Sequence, residues 1–221
     1  MTKRTRASRE AGNPPAASAS KQNDREQRVI RAALSEFAEK GFDGATWRSI
    51  ADRAGVSQGL IKFYFSDKEG LWQAALLHAH DSMSEDLPPP PFEVEKDPDR
   101  DLTEEWIRAY VRHAAKHPDY FKMIMREAAA PNPRISWAAQ NVRRFSHGDF
   151  QHGLELLQKR GYFPGMNPIL LQYAFLGAAH QPFLASEEIR AIYGVDTTTN
   201  KMIEAHADAL ISLFLGPRDG D

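Results

Sequence analysis

The sequence predicts an all-α protein with a three-helix N-terminal unit over residues 24–70 and a larger helical body over residues 71–221, preceded by a disordered basic arm at 1–23. Three observations lead there. Apolar residues recur at helical spacing from Ile30 to Phe214. Breakers at Gly41, Gly55, Pro118, Pro131-Asn132-Pro133 and Gly161 cut that pattern into helix-length pieces. Residues 41–71, GFDGATWRSIADRAGVSQGLIKFYFSDKEGL, hold two short capped helices about one tight turn.

Residues 1–23 are rich in Ala, Ser, Pro and charge and have no periodicity, which predicts disorder. Lys3, Arg4, Arg6 and Arg9 make this either an arm that reaches DNA or a solubilising tail. From Asp24 to Lys40 the spacing of Ile30, Ala33, Leu34 and Phe37 predicts a helix, with Gly41 as its stop. Thr46 caps the next helix, WRSIADRA, which places Trp47, Ile50 and Ala51 on one face. Gly55 ends it in the left-handed conformation that a Cβ would disfavour. Val56 plugs the corner and Ser57 caps a third helix over residues 58–64. Leu60, Ile61, Tyr64 and Phe65 anchor this helix, and Gln58, Gly59, Lys62 and Phe63 face outward. Ser66-Asp67-Lys68-Glu69 has capping-box spacing, so a fourth helix starts at Asp67 and carries Leu71, Trp72, Ala75, Leu76 and Ala79 to about residue 85.

A short anchored helix that follows a glycine turn and shows polar and basic residues outward is the pattern of a helix-turn-helix, whose second helix enters the major groove. A plain helical hairpin is the alternative on periodicity alone. Gly41-Phe42, Ala45-Thr46, Ile50-Ala51, Ala54-Gly55-Val56-Ser57, Gly59, Tyr64-Phe65 and Lys68-Glu69-Gly70-Leu71 fall in the register of a known family. Over residues 25–77 the chain resembles the DNA-binding domain of the TetR family of transcriptional regulators. It departs at Leu60, where similar members carry a small or hydroxylated residue, and at Lys62, where they carry an aromatic. The base-reading surface is therefore its own. The expected DNA-binding set is Thr46, Ser57, Gln58, Gly59, Lys62, Phe63, Tyr64 and Lys68. Within it Gln58, Lys62 and Phe63 face bases, as donors to adenine or guanine or as an aromatic edge toward a thymine methyl. Thr46, Tyr64 and Lys68 face phosphates, helped by the helix openings at Thr46 and Asp67.

In the body, the proline run and acidic stretch of residues 87–101 predict a long loop. A helix from Thr103 to His117 carries Trp106, Ile107, Tyr110 and Val111, and one from Pro118 carries Phe121, Ile124 and Met125. A long helix over residues 135–160 carries Trp137, Val142, Phe145, Leu154, Leu156 and Leu157. Residues 168–185 are apolar on nearly every side and residues 200–215 are amphipathic, so the first must be buried on more than one face. A homodimer interface through Leu171, Phe175, Ala178, Met202, His206 and Leu210 achieves that. The resemblance implies the same, a four-helix bundle across a two-fold axis, with the fourth helix carrying effector-driven movement to the DNA-binding heads. Trp106, Tyr110, Phe121, Met125, Phe145, Phe175 and His180 are the expected lining for a small-molecule effector, or else ordinary core.

Residues 1–70 hold 13 Lys+Arg against 9 Asp+Glu and the remainder 15 against 21, a basic head on an acidic body. There is no cysteine, which excludes disulfides and thiolate metal sites. His113 and His117 are four apart, with neither an HExxH motif nor a third ligand nearby, and a solvated pair is expected. No phosphate loop, GxSxG or CxxC is present, so neither a catalytic residue nor a cofactor is expected. No signal peptide or spanning segment is legible, so the expectation is a cytoplasmic protein without a membrane partner. The resulting expectation is a homodimeric regulator, a repressor released from a palindromic double-stranded operator by a small molecule. The rival readings are a helical binding protein or enzyme whose N-terminal hairpin only packs, and a DNA binder without effector control.

Overall fold

The computed structural model describes residues 16–88, 100–159 and 162–217. Among the described residues there is no strand. Helices α1 (Ala16–Gly44), α2 (Trp47–Ala54), α3 (Gln58–Tyr64) and the start of α4 (Lys68–Asp86) form the head. The body holds α5 (Arg100–Lys116), α6 (Pro118–Ala128), α7 (Pro133–Ala138), α8 (Arg144–Lys159), α9 (Pro168–Leu184), α10 (Ser186–Tyr193) and α11 (Asn200–Leu215).

In the head, Val29, Ala33 and Phe37 of α1 meet Ile50 and Ala51 of α2, Ile61 of α3, and Leu71 and Trp72 of α4 in one buried cluster. Charge fastens α2 to α1: Arg53 makes a bidentate pair with Glu39 (2.8 and 2.6 Å) and reaches the buried Glu36 at 3.0 Å, which also holds Lys40 at 2.7 Å. Helix α1 begins at Ala16, within the segment expected as an arm, while Lys3, Arg4, Arg6 and Arg9 lie outside the described residues. At Gly41 the backbone leaves helical geometry (φ 72°, ψ 174°), so the regular helix stops where the spacing put it and one further turn to Gly44 follows across a kink.

The body grips α1 at that kink. Arg126 of α6 donates to the carbonyls of Ala38 (3.1 Å) and Glu39 (3.0 Å), and Ser35 of α1 donates to Asp119 at 3.1 Å. Arg134 of α7 places its guanidinium 3.8 Å from the centre of the Phe42 ring and donates to Glu127 at 2.9 Å. Helix α4 links the two parts covalently, with Trp72 edge-on to Trp137.

In the head, α4 is capped by Asp67, whose Oδ1 accepts from the Gly70 amide at 2.7 Å, rather than by Ser66; three elements of the body also differ from the sequence expectation. Helix α5 starts at Arg100 rather than Thr103; Arg100 donates to the carbonyls of Leu215 (3.3 Å) and Pro217 (3.0 Å) and so closes the end of α11. The helix expected over 135–160 is two helices, joined by a π-helical turn at Ala139–Arg143, and it begins at Pro133 under an Asn132 cap. Helix α10 lies in the stretch read as a connection; it buries no residue and ends at Gly194 in the left-handed region. No helix among the described residues is long and apolar enough to cross a membrane.

Candidate nucleic-acid interface and the helical body

The turn between α2 and α3 is built by local hydrogen bonds. Thr46 Oγ1 accepts from the Ser49 amide at 3.0 Å and Ser49 Oγ accepts from the Thr46 amide at 3.2 Å, a reciprocal cap in which serine takes the glutamate's place. Gly55 sits at φ 66°, ψ 41°, and the Val56 amide returns to the Ala51 carbonyl at 3.1 Å. Ser57 Oγ accepts from the Leu60 amide at 3.3 Å. These contacts fix the exit angle of α2 and the entry angle of α3.

Helix α3 buries Ile61, and its cap Phe65 is core as expected. Gln58, Gly59, Lys62 and Phe63 are all exposed, on a helix with no other element over that side. Tyr64 is half-buried and donates its hydroxyl to the Gln22 carbonyl at 3.3 Å. Lys68 stands 4.6 Å from the centre of the Phe42 ring and 3.5 Å from the Asp43 carbonyl, so it holds the last turn of α1 as well as facing solvent. The sequence reading passed over Arg48, exposed in the first turn of α2 with Asp52 at 3.9 Å; the apolar pattern used there says nothing about exposed positions.

In the body, five of the seven expected effector residues come together. Tyr110 Oη and His180 Nε2 are 2.9 Å apart, Phe121 stacks on His180 at 3.7 Å, and Phe175 lies 5.5 Å from Tyr110 and 6.0 Å from Trp106. Met125 does not join them: it lies on the exposed side of α6, one residue beyond the inward Ile124. The Phe145 side chain lies outside the described residues. Phe150 and Phe214, which the sequence reading missed, pack on Phe175 at 5.5 and 5.3 Å. Between these rings remains a cavity of about 30 Å³, lined by apolar groups and Thr103. His113 and His117 have rings 4.8 Å apart, but His113 is buried, so the expected solvated pair is corrected; among the described residues no group of three or more His, Cys, Asp or Glu could hold a metal ion.

The expected interface residues need correction. Leu171, Phe175 and Leu210 are buried inside the subunit, and His206 Nε2 lies 3.1 Å from the Ala178 carbonyl, joining α11 to α9 within one chain; Met202 is half-buried. The exposed faces carry other residues. Helix α9 exposes Leu170, Tyr173, Ala174 and Gly177, and α11 exposes Ala205, Ala209 and Leu213. A helix apolar on every side gives no phase, so its sequence alone could not choose between them.

A three-helix head with an uncovered recognition helix, set on an all-helical body, defines a helix-turn-helix protein. Residues 29–75 match the model of the bacterial regulatory proteins of the tetR family. The chain is 46% identical over 57 residues to the HTH-type transcriptional regulator BetI of Proteus mirabilis, a match spanning 26% of this chain and 28% of that protein. The chain thus matches little more than a quarter of that protein's length. The fold extends further. The structure of AibR in complex with isovaleryl coenzyme A and operator DNA matches with TM-score 0.65 at 14% identity, over 87% of this chain and 99% of that one. The transcriptional regulator FadR from Bacillus subtilis in complex with stearoyl-CoA matches with TM-score 0.58 at 18% identity, over 87% and 99%.

Proposed function

We propose that this protein is a sequence-specific DNA-binding transcriptional regulator, a homodimeric repressor that leaves a near-palindromic operator when a small molecule enters its body. The observation that carries the reading is the bare surface of α3: Gln58, Gly59, Lys62 and Phe63 are exposed together on a helix whose entry is fixed by two caps. A packing hairpin would bury such a face. Two copies place their recognition helices in successive major grooves, roughly 34–36 Å apart. Thr46, Ser57, Tyr64, Lys68 and Arg48 border that surface and suit phosphates.

Dimerisation uses the outer faces of α9 and α11. Leu170, Tyr173 and Leu213 are large apolar side chains exposed there, and Ala174, Gly177, Ala205 and Ala209 are small enough to let a second pair of helices approach closely. The effector enters at the ring cluster around Phe175, where Tyr110 and His180 supply the polar groups that orient it. The two solved relatives hold coenzyme A thioesters, which makes an acyl thioester the first class to assay. It shifts the equilibrium only by preferring the non-operator state.

The test is selection of duplex DNA by the purified protein at near-physiological salt. Enrichment of an inverted repeat is expected. A folded dimer that enriches no motif, with and without candidate thioesters, would return the chain to the binding-protein class.

A further inference from the structure

We infer that Phe63, together with the bare backbone of Gly59 one turn before it, reads the 5-methyl group of a thymine in each half-site. The inference rests on the regulator reading above and gives it a base-level content. Phe63 is 73% exposed, while Ile61 and Phe65 on either side of it are buried. The core therefore has no use for this ring. Its orientation is nevertheless set: Tyr64 meets it edge-to-face at 5.5 Å and 70°, and Tyr64 is held by the Gln22 carbonyl and tilted against Phe65 at 6.4 Å. An exposed phenyl propped in this way has little side-chain freedom left to lose on contact.

Gly59 is the second, independent observation. Second in α3, Gly59 stands where glycine is still less favourable than alanine. Its φ is not among the positive ones, and an added Cβ would meet only Ser57 Oγ, at 3.9 Å. The fold accommodates alanine there, so the glycine serves a surface that arrives from outside. Positions 59 and 63 share a face, which makes a notch beside an apolar ridge. In the major groove thymine alone offers an apolar group, its methyl; against a phenyl the other edges would lose hydrogen-bond partners. Lys62 and Gln58, both exposed, supply the donors for neighbouring bases.

The experiment uses the full chain and the operator obtained by selection. Each thymine is replaced in turn, in both half-sites, by deoxyuridine, which removes the methyl and leaves base pairing intact, and Kd is measured by fluorescence anisotropy at fixed salt. One symmetric position should weaken binding about fourfold per half-site, the ~0.8 kcal/mol of one buried CH₂. Phe63→Ala should bind thymine and uracil operators alike and melt like the parent. Gly59→Ala should be at least as stable and bind more weakly. Equal affinity for both operators at every position, or a thymine preference that survives in Phe63→Ala, overturns this inference and leaves the regulator reading standing. Failure to select any operator overturns both.

Discussion

Arg134→Met should loosen the joint between head and body. Arg134 is mostly enclosed, and its partner Glu127 has a side chain only 7% exposed, with the donor at 2.9 Å. Removing one member of a buried pair costs ~3–5 kcal/mol because the other charge stays behind. Glu69, 4.0 Å away and 40% exposed, adds little, since exposed pairs contribute at most ~1 kcal/mol. The guanidinium over Phe42 adds about 1 kcal/mol, and methionine keeps much of the stem's packing. The net loss is about 4–6 kcal/mol, or roughly 15 °C in melting temperature for a chain of this size. Thermal and urea unfolding followed by circular dichroism read it directly. Adding Glu127→Met removes the stranded charge and should restore most of the loss, because an apolar pair of similar volume is often as stable as an ion pair. If Arg134→Met costs under about 1 kcal/mol, or the double variant melts no higher than the single, the pair is solvated and the reasoning fails.

Four further outcomes can be checked. The carboxyl of Glu36 is pushed up by burial, but hydrogen bonds from Lys40 and Ser49 and the charges of Lys40 and Arg53 outweigh this and hold it below the ordinary glutamate range; Glu39 is lowered chiefly by its hydrogen bond from Arg53. Depressed carboxyls stabilise the head above the unfolded glutamate value of about 4.3 and lose that contribution as pH falls through their folded values. Melting temperature should therefore drop on acidification from about pH 5 downward, and Arg53→Met should flatten that slope. Lys62→Ala should relax base preference, whereas Lys68→Ala should weaken all operators about equally and lower the salt slope by about one per subunit, both read from Kd against salt on matched and scrambled DNA. Leu213→Glu should give monomers in analytical ultracentrifugation with native helicity, while Leu210→Glu, aimed into the core, should unfold the body. Tyr110→Phe removes the 2.9 Å hydrogen bond to His180 and should cost about 1 kcal/mol in urea unfolding.

The head was legible because its signals are local. A threonine cap, a glycine that must take positive φ and a serine cap specify the α2–α3 turn within a dozen residues, and each appears where the spacing put it. Lys68 shows the limit of that logic: its reach over Phe42 depends on the fold of α1 against α4, which no local pattern contains. The body was legible in helix count more than in phase. Leu171 and Phe175 were assigned outward on an all-apolar helix, and the packing of α5, α8 and α11 turned them inward. Met125 fell to the wrong side by one residue, a 100° error on a helix wheel. The π turn at Ala139–Arg143 shifts the register between α7 and α8 and leaves no compositional mark. Helix α10 is short, and its apolar Ile189, Ile192 and Tyr193 fall at helical spacing yet bury nothing, so the stretch read as a connection.

The small volume left among the rings has a bearing on timing. A space of about 30 Å³ has room for a water or two, so an organic guest at the proposed effector site would have to displace Phe175 or its neighbours. On the proposed reading, entry would wait for a sparsely populated open form; apparent affinity would be the intrinsic affinity scaled by that population, and the association rate would follow opening rather than diffusion. Such a switch would answer sustained supply more than brief pulses. Trimming a ring at position 175 would make it respond sooner, to more kinds of molecule, from a less stable resting state.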